Sequence, residues 1–293
     1  MGETNISIIL SYARSGGTLL NRYLVNNPDL VVLSEAHPLH NIKGDIYSIK
    51  NQVNDWYGIK IISNDYFEQL IEIKKWCDAH SKYLVIRDWS YIDFTESYLN
   101  NFEPKMHSTN YQFLKSLYPN IKTISFVRDS IDIFLSQDKN LNEFSKSYFR
   151  YVKFIKEKNF KIFKYEDLIE NPKSIIKMIT SHLGIKPLNN FDFNLGNKNV
   201  IGDILFSRGN KKNKATKMKR RFANLKLINN INENQNLIKS NSLLNYPTYY
   251  QSKNYENFVE YAIFEFQRKV FRIIDFSKKI KLKLLNTLSF RSL

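Results

Sequence analysis

The stretch that decides the fold runs from Ile6 to Thr18 and reads ISIILSYARSGGT. Ile6–Leu10 is short, β-branched and uninterrupted, which is typical of a buried strand that ends in a turn. Tyr12–Gly17 forms that turn, and Thr18 opens a helical segment. A glycine-containing loop at this place gathers backbone N–H groups at a helix N-terminus, where an anion is favoured. The stretch therefore predicts a phosphate-binding loop, and an ordinary glycine-containing turn is the alternative.

Short strands and helices alternate through the N-terminal part of the chain. Further strands are predicted at Val31–Leu33, Tyr83–Ile86, Ile121–Val127 and Phe160–Phe163. Such alternation predicts an α/β fold in three layers, α/β/α, with a central, mostly parallel sheet of about five strands. We expect a single domain over residues 1–293. Its parts are a core at about 6–184, a basic lid or loop segment at 185–254 and a helical C-terminal segment at 255–293.

Composition restricts the function classes. The chain has 293 residues, with 44 Lys plus Arg against 28 Asp plus Glu, a net charge of +16. A hydrophobic fraction of 43% argues against disorder, and the surplus positive charge favours anionic partners. The single cysteine, Cys77, excludes an internal disulfide framework and a cysteine-based zinc cluster. No apolar run approaches the roughly 20 residues that cross a bilayer, and the first residues lack the basic region of a signal peptide. We expect a cytoplasmic protein.

The first loop differs from the ATP-binding loop Gly-x-x-x-x-Gly-Lys-Ser/Thr. Ser11 stands in place of the first glycine, and Gly17 stands in place of the lysine that reaches the β and γ phosphates. The cation is Arg14, earlier in the loop, where it can lie beside one phosphate and a departing group. The loop is therefore interpreted as a cradle for a nucleotide 5′-phosphate rather than a triphosphate.

A second anion site is predicted at the end of the fourth strand. Arg128 ends this strand, and Ser136 follows about two helical turns later. The planar guanidinium and the hydroxyl together can clamp one phosphate. The alternative is that Arg128 pairs with Asp129 or Asp132 and that Ser136 is only solvated.

The two sites together resemble the PAPS-dependent sulfotransferases, which use 3′-phosphoadenosine 5′-phosphosulfate (PAPS). Tyr12–Thr18 is similar to the family's loop Pro-(Arg/Lys)-Ser-Gly-Thr-Thr, and Val127–Ser136 to Val-Arg-(Asp/Asn)-Pro-x-Asp-x-x-x-Ser. Lys164–Leu168 resembles the family's Tyr-Glu-Asp-Leu strand end. The chain departs from the family at three positions, where Ala13 and Ser130 replace proline and Gly17 replaces the first threonine.

The resemblance implies a role for each matching residue. Arg14 would contact the 5′-phosphate and the bridging oxygen, and Arg128 with Ser136 would bind the 3′-phosphate. Arg208, in a later segment that looks like the family's, would close over that same phosphate. No metal is implied. The phosphosulfate would be held by the backbone N–H groups of Ser15, Gly16, Gly17 and Thr18, together with the Thr18 hydroxyl.

Sulfuryl transfer to a hydroxyl usually needs a group that takes the proton. Glu35 and His37 follow the second strand and Asp88 ends the third, and the carboxyl ends of parallel strands face the ligand crevice. Glu35 is the first candidate for the base, since the resemblance implies a glutamate near this place. His37 is the second and Asp88 the alternative. The alternative interpretation of Glu35 is a helix cap or a surface carboxylate, and that of His37 is a buried imidazole. The alternative for Asp88 is an ion pair with Arg87.

The sequence thus predicts a metal-independent sulfotransferase that uses PAPS and an acceptor hydroxyl. A carbohydrate is favoured, and a small molecule, a lipid or a tyrosine stays open. One alternative is a kinase-like nucleotide-binding enzyme, which would need a loop lysine that this sequence lacks. The other is a non-enzymatic basic protein that binds nucleic acid or an anionic membrane. Nucleic acid is not expected, because no recognition motif is present. The basic C-terminal helix is expected to pack on its own domain rather than on a membrane.

Overall fold

The computed structural model describes residues 5–41, 48–96, 103–137, 140–186 and 221–251, and positions 258, 259, 262, 263 and 266. These residues contain one sheet of five parallel strands in the order β2-β3-β1-β4-β5. The strands are β1 (Ile6–Ser11), β2 (Leu30–Ala36), β3 (Tyr83–Asp88), β4 (Lys122–Val127) and β5 (Lys161–Lys164).

Ten α-helices lie among the described residues. They are α1 (Gly17–Leu24), α2 (Ile49–Tyr57), α3 (Tyr66–Ala79), α4 (Thr109–Leu117), α5 (Ser130–Leu135), α6 (Leu141–Glu157), α7 (Tyr165–Glu170), α8 (Pro172–Leu183), α9 (Leu225–Glu233) and α10 (Gln235–Leu244). Two short 3₁₀ helices, Pro38–His40 and Ser90–Phe94, follow β2 and β3.

Helices cover both faces of the sheet. Successive residues of a strand point to opposite faces, so each strand contributes to two hydrophobic clusters. Ile8 and Leu10 of β1 pack in one hydrophobic cluster with side chains of α2, α3, α6, α9 and α10. Ile9 packs in the other cluster, with side chains of α1 and α8. The predicted α/β/α fold with a central parallel sheet of five strands is confirmed.

The sheet topology places a crevice at the carboxyl end of β1. The chain passes from β1 to one side of the sheet, forming β2 and β3, and then crosses to form β4 on the other side of β1. Leu10 is in register with Asp88 of β3, and Ser11 with Phe126 of β4, so these strands end at the same edge. In open parallel sheets, ligands bind outside the carboxyl ends of the strands at such a reversal.

A buried tyrosine anchors the loop that leaves β1. The Tyr12 ring makes edge and tilted contacts with Tyr91, Phe144, Tyr148 and Tyr151, and its hydroxyl donates to Ser147 Oγ at 2.9 Å. Aromatic contacts of this kind add to the free energy gained by burying the rings. The loop therefore starts from a fixed point in the core.

All five predicted strands are present, with ends that differ by up to three residues. Five of the described helices, α2, α4, α7, α9 and α10, were not predicted, and α9 and α10 lie in the segment expected to be a lid or loop. The N-caps of α9 and α10 are Asn224 and Asn234, whose side chains accept from the N–H groups of Leu227 and Leu237. Residues 187–220 and 252–254 of that segment, and most of 255–293, lie outside the described residues. Among the described helices, none is long and apolar enough to span a membrane.

Candidate active site

The loop between β1 and α1 turns sharply because two of its residues have left-handed backbone angles. Arg14 has φ of 71° and Gly16 has φ of 91°. Ser15 holds the turn closed, since its N–H and its hydroxyl both donate to Tyr12 O, at 3.1 and 2.6 Å. Gly16 caps α1, so the N–H groups of Gly17 and Thr18, at the start of the helix, have no carbonyl partner in a preceding helical turn. This is the arrangement of a backbone anion cradle.

Gly16 is needed for space as well as for its backbone angle. A Cβ atom at this position would lie 2.3 Å from Cδ2 of Tyr165, at the start of α7. The same Tyr165 ring carries the Arg128 guanidinium, whose Cζ lies 4.6 Å from the ring centroid. Tyr165 therefore joins the loop to the end of β4.

The two predicted anion sites meet in the structure. Nε of Arg14 donates to the carbonyl oxygen of Ser136 at 3.1 Å and contacts its hydroxyl at 3.3 Å. Nη1 of Arg128 lies 3.4 Å from the carbonyl oxygen of Arg14. Arg14, Arg128 and Ser136 thus form one continuous cationic rim beside the backbone cradle.

Arg128 also has the ion pair that the sequence allowed as an alternative. Its Nη2 lies 3.8 Å from Oδ2 of Asp132, a long distance for an ion pair. Asp129 has a different role, because its carboxylate caps α5 by accepting from the N–H of Ile131 at 3.2 Å. Nε of Arg128 is buried and has no hydrogen-bond partner among the described residues. That donor is available to an anion, so the residues fit a second phosphate.

Glu35 lies at an irregularity in β2. The register between β2 and β3 shifts between Leu33 and Ala36, and Glu35 has a positive φ of 50°. A residue other than glycine adopts this conformation at a cost in free energy, and such residues cluster at active sites and ligand clamps. The Glu35 side chain is 25% exposed, and its Oε1 lies 3.4 Å from Nη2 of Arg87.

Arg87 links Glu35 to the phosphate loop. Its buried side chain donates from Nη2 to Ser34 Oγ at 2.5 Å. A Cβ atom at Gly17 would lie 2.9 Å from Nη1 of Arg87 and 2.9 Å from Ser11 Oγ. The guanidinium therefore occupies the space that the threonine of the resembled motif would need, which accounts for glycine at this position.

His37 is buried and engaged on both ring nitrogens. Its Nδ1 accepts from the N–H of Leu39 at 3.2 Å, capping the first 3₁₀ helix, so the ring proton is assigned to Nε2. That nitrogen faces Oδ1 of Asp93 at 3.4 Å. The contacts resemble those of a structural histidine more than those of a proton acceptor open to substrate.

Asp88 is fully buried and holds the loops after β3 together. Its carboxylate accepts from the hydroxyls of Ser90 and Ser108, at 2.7 and 2.9 Å, and from Nδ2 of Asn110 at 2.8 Å. Among the described ion pairs, Arg87 pairs with Glu35, so the alternative interpretation of Asp88 as the partner of Arg87 is wrong. Burial, followed by the nearby charge of Asp93, raises the pKa of Asp88 to about 6.

The structure brings most of the predicted residues to one edge of the sheet. Around the loop it gathers Arg14, Ser15, Gly16, Gly17, Thr18, Arg128, Ser136 and, through Arg87, Glu35. His37 and Asp88 lie deeper, and Arg208 is outside the described residues. No cluster of three metal-binding side chains occurs in the described part of the chain.

A separate cavity of about 710 Å³ lies at the other edge of the sheet, at the start of β4 and β5. Six lysines line it, and none of the predicted site residues does: Lys115, Lys122, Lys156, Lys158, Lys161 and Lys164.

A comparison with protein-family models shows the family of the chain. A family model described as "Sulfotransferase family" matches residues 8–189. The sulfotransferase domain of the Synechococcus PCC 7002 olefin synthase is 17% identical with a TM-score of 0.46, covering 68% of this chain and 79% of that one. The sulfotransferase domain from the curacin biosynthetic pathway is 15% identical with a TM-score of 0.48, covering 83% and 97%. A mouse sulfotransferase complexed with PAP (adenosine 3′,5′-bisphosphate) is 14% identical with a TM-score of 0.36, covering 89% of this chain and 84% of that one. No curated protein matches the sequence.

Gly17→Thr is expected to destabilise the protein by about 1 to 3 kcal/mol, because the new side chain collides with the buried Arg87 guanidinium. Removing that side chain as well makes room, so the double variant Gly17→Thr/Arg87→Ala is expected to lose less than the sum of the two single variants. Urea unfolding of all four proteins gives this coupling. Simple additivity would contradict the assigned contact.

Asp88→Asn tests the raised pKa through stability. Since the folded-state pKa of Asp88 is raised from 3.8 to about 6, the folded protein binds more protons than the unfolded chain between these values. Ionisation of Asp88 therefore lowers the free energy of unfolding as the pH rises through this window. The stability of Asp88→Asn relative to wild type should improve by up to about 3 kcal/mol over the same window. A difference that does not change with pH would refute the assignment.

Proposed function

Since the chain belongs to the sulfotransferase family, we propose that it transfers a sulfuryl group from PAPS to an acceptor hydroxyl. The observation that carries this proposal is the contact of Arg14 with Ser136, at 3.1 Å, which joins the loop to the second anion site. One nucleotide with phosphates at its 5′ and 3′ positions can engage both.

The nucleotide would be held mainly by backbone N–H groups and guanidinium groups. The first turn of α1 offers N–H donors from Gly17 and Thr18 to the 5′-phosphosulfate. The buried Nε of Arg128 and the Ser136 hydroxyl lie on the side where a 3′-phosphate would be bound. A site that requires this second phosphate would select PAPS over ATP.

Arg14 would stabilise the charge that develops on the leaving phosphate. Its Nε is held by Ser136, which orients the guanidinium before substrate binds. A charged group that needs no reorganisation during the reaction contributes most to stabilising a transition state. Bound PAPS supplies the sulfuryl group, and this chain supplies the cations around it.

Glu35 is the group that we propose takes the proton from the acceptor hydroxyl. Of the three candidates it is the most exposed, whereas His37 and Asp88 are almost fully buried. Arg87, at 3.4 Å, holds the carboxylate on the side of the loop where the sulfuryl group would lie. The same guanidinium adds positive charge next to Gly17.

A carbohydrate remains the proposed acceptor class, by resemblance to the family. The loops expected to line the acceptor pocket are Ile42–Asp65 and Asn189–Arg221, and their residues 42–47 and 189–220 lie outside the described residues. A cytoplasmic location is also a proposal, supported by the free, buried thiol of Cys77.

The basic run Lys211–Arg221 ends at Arg221, which donates to the carbonyl oxygen of Leu135 at 3.0 Å. Leu135 directly precedes Ser136, so the end of this run lies beside the proposed 3′-phosphate ligand.

Glu35→Gln is expected to lower kcat by about a hundredfold or more, because the amide cannot accept the proton. Binding of adenosine 3′,5′-bisphosphate (PAP) should change by less than about twofold, since Glu35 does not belong to the proposed nucleotide cradle. The measurement is PAP release from PAPS with a panel of sugars, phenols and simple alcohols, together with calorimetry. Glu157→Gln, an exposed change on α6, is the control. An unchanged kcat in Glu35→Gln would show that Glu35 is not the base.

A further inference from the structure

We propose that Tyr246 and Tyr250, which follow α10, are positioning residues for the 3′-phosphate half of the site. They would set the preference for a nucleotide that carries a 3′-phosphate over one that lacks it. Both residues lie beyond the part of the chain that the family model matches, residues 8–189. The inference rests on the proposed function, because it assumes that Arg128 binds this phosphate.

Tyr250 holds the residue that follows Arg128. Its hydroxyl donates to Oδ1 of Asp129 at 2.6 Å, and the tyrosine is only 4% exposed. The same carboxylate oxygen caps α5 by accepting from the N–H of Ile131. Ser136 comes directly after α5, so Tyr250 supports the helix that separates the two proposed phosphate ligands.

Tyr246 supports Asp129 as well, through Glu166. Its hydroxyl donates to Oε2 of Glu166 at 2.6 Å, and Oε1 of Glu166 accepts from the N–H of Asp129 at 3.1 Å. Burial, followed by the charge of Glu166, raises the pKa of Tyr246, so the phenol stays protonated and remains the donor. Hydrogen bonds from a neutral donor to a carboxylate are among the stronger ones in proteins.

The helices α9 and α10 keep Tyr250 in place. Asn232 of α9 accepts from the Tyr250 N–H at 2.8 Å and donates to its carbonyl oxygen at 3.0 Å. Asn241 of α10 donates to the Tyr250 hydroxyl at 2.8 Å, which directs the hydroxyl proton toward Asp129. Asn234 joins this unit to α6 through Ser145 Oγ at 3.2 Å.

Hydrogen bonds hold both polar groups of the peptide that joins Arg128 to Asp129. Tyr148 of α6 donates to the carbonyl oxygen of Arg128 at 3.1 Å, and the N–H of Asp129 donates to Glu166. The Arg128 side chain lies on the Tyr165 ring, one residue before Glu166. A guanidinium held in this way pays less ordering entropy when it binds a phosphate. Tyr246 and Tyr250 complete this support without touching the nucleotide themselves.

The test compares the affinities of two nucleotides in the full-length protein. Calorimetry gives Kd for PAP and for adenosine 5′-phosphate in wild type, Tyr246→Phe, Tyr250→Phe and Tyr249→Phe. Each phenylalanine at 246 or 250 should weaken PAP binding by up to about tenfold, because the Arg128 side chain must then be ordered when the phosphate binds. Binding of adenosine 5′-phosphate should change by less than about twofold. Tyr249, which is 69% exposed, gives the matched control and should leave both affinities unchanged.

Equal weakening of both nucleotides would overturn the inference, because a merely structural role moves them together. Unchanged PAP affinity in both variants would also overturn it. If Tyr250→Phe does not fold, as judged by its melting curve, the partly buried Tyr246→Phe decides the outcome. A wild-type protein with no preference for PAP would instead refute the proposed function, and the inference with it.

Discussion

The contact between Arg14 and Ser136 is the interaction on which the rest of the site depends. The two residues are 122 positions apart in the chain, yet Nε of Arg14 lies 3.1 Å from the Ser136 carbonyl oxygen. The contact requires β1 and β4 to be neighbours and to end at the same edge, which the strand order provides. It places a loop cation and a strand-end cation around one crevice. The two sequence motifs thereby lie side by side, as the proposed nucleotide site requires.

A second constraint is the lack of space beside the loop glycines. Gly16 is covered by Tyr165 and Gly17 by Arg87, each within contact distance of where a Cβ atom would be. The Tyr165 ring contacts the guanidinium of Arg128. Arg87 is itself a cation, and it pairs with Glu35. The two glycines thus leave room for the Tyr165 ring and the Arg87 guanidinium directly beside the loop.

The sequence was sufficient to predict the sheet and the loop, because both depend on local signals. Ile6–Ser11 is β-branched and short, and the loop motif lies directly after it. The prediction was weaker for side chains whose roles depend on distant neighbours. His37 and Asp88 looked like candidate bases, but the loops after β3 bury them in hydrogen-bond networks that no spacing reveals. Tyr250 gave no signal at all, since its partner Asp129 is 121 positions away.

The central claim is that one crevice takes a nucleotide with phosphates at both its 5′ and 3′ positions. Thermal unfolding in the presence of PAP, adenosine 5′-phosphate, ADP or ATP with Mg²⁺ tests it most directly. At about 100 times its Kd, PAP should add roughly 2.7 kcal/mol to the free energy of unfolding, a rise in Tm of a few degrees, while the other nucleotides add much less. Equal or greater stabilisation by ATP with Mg²⁺, or no response to PAP, would contradict the account.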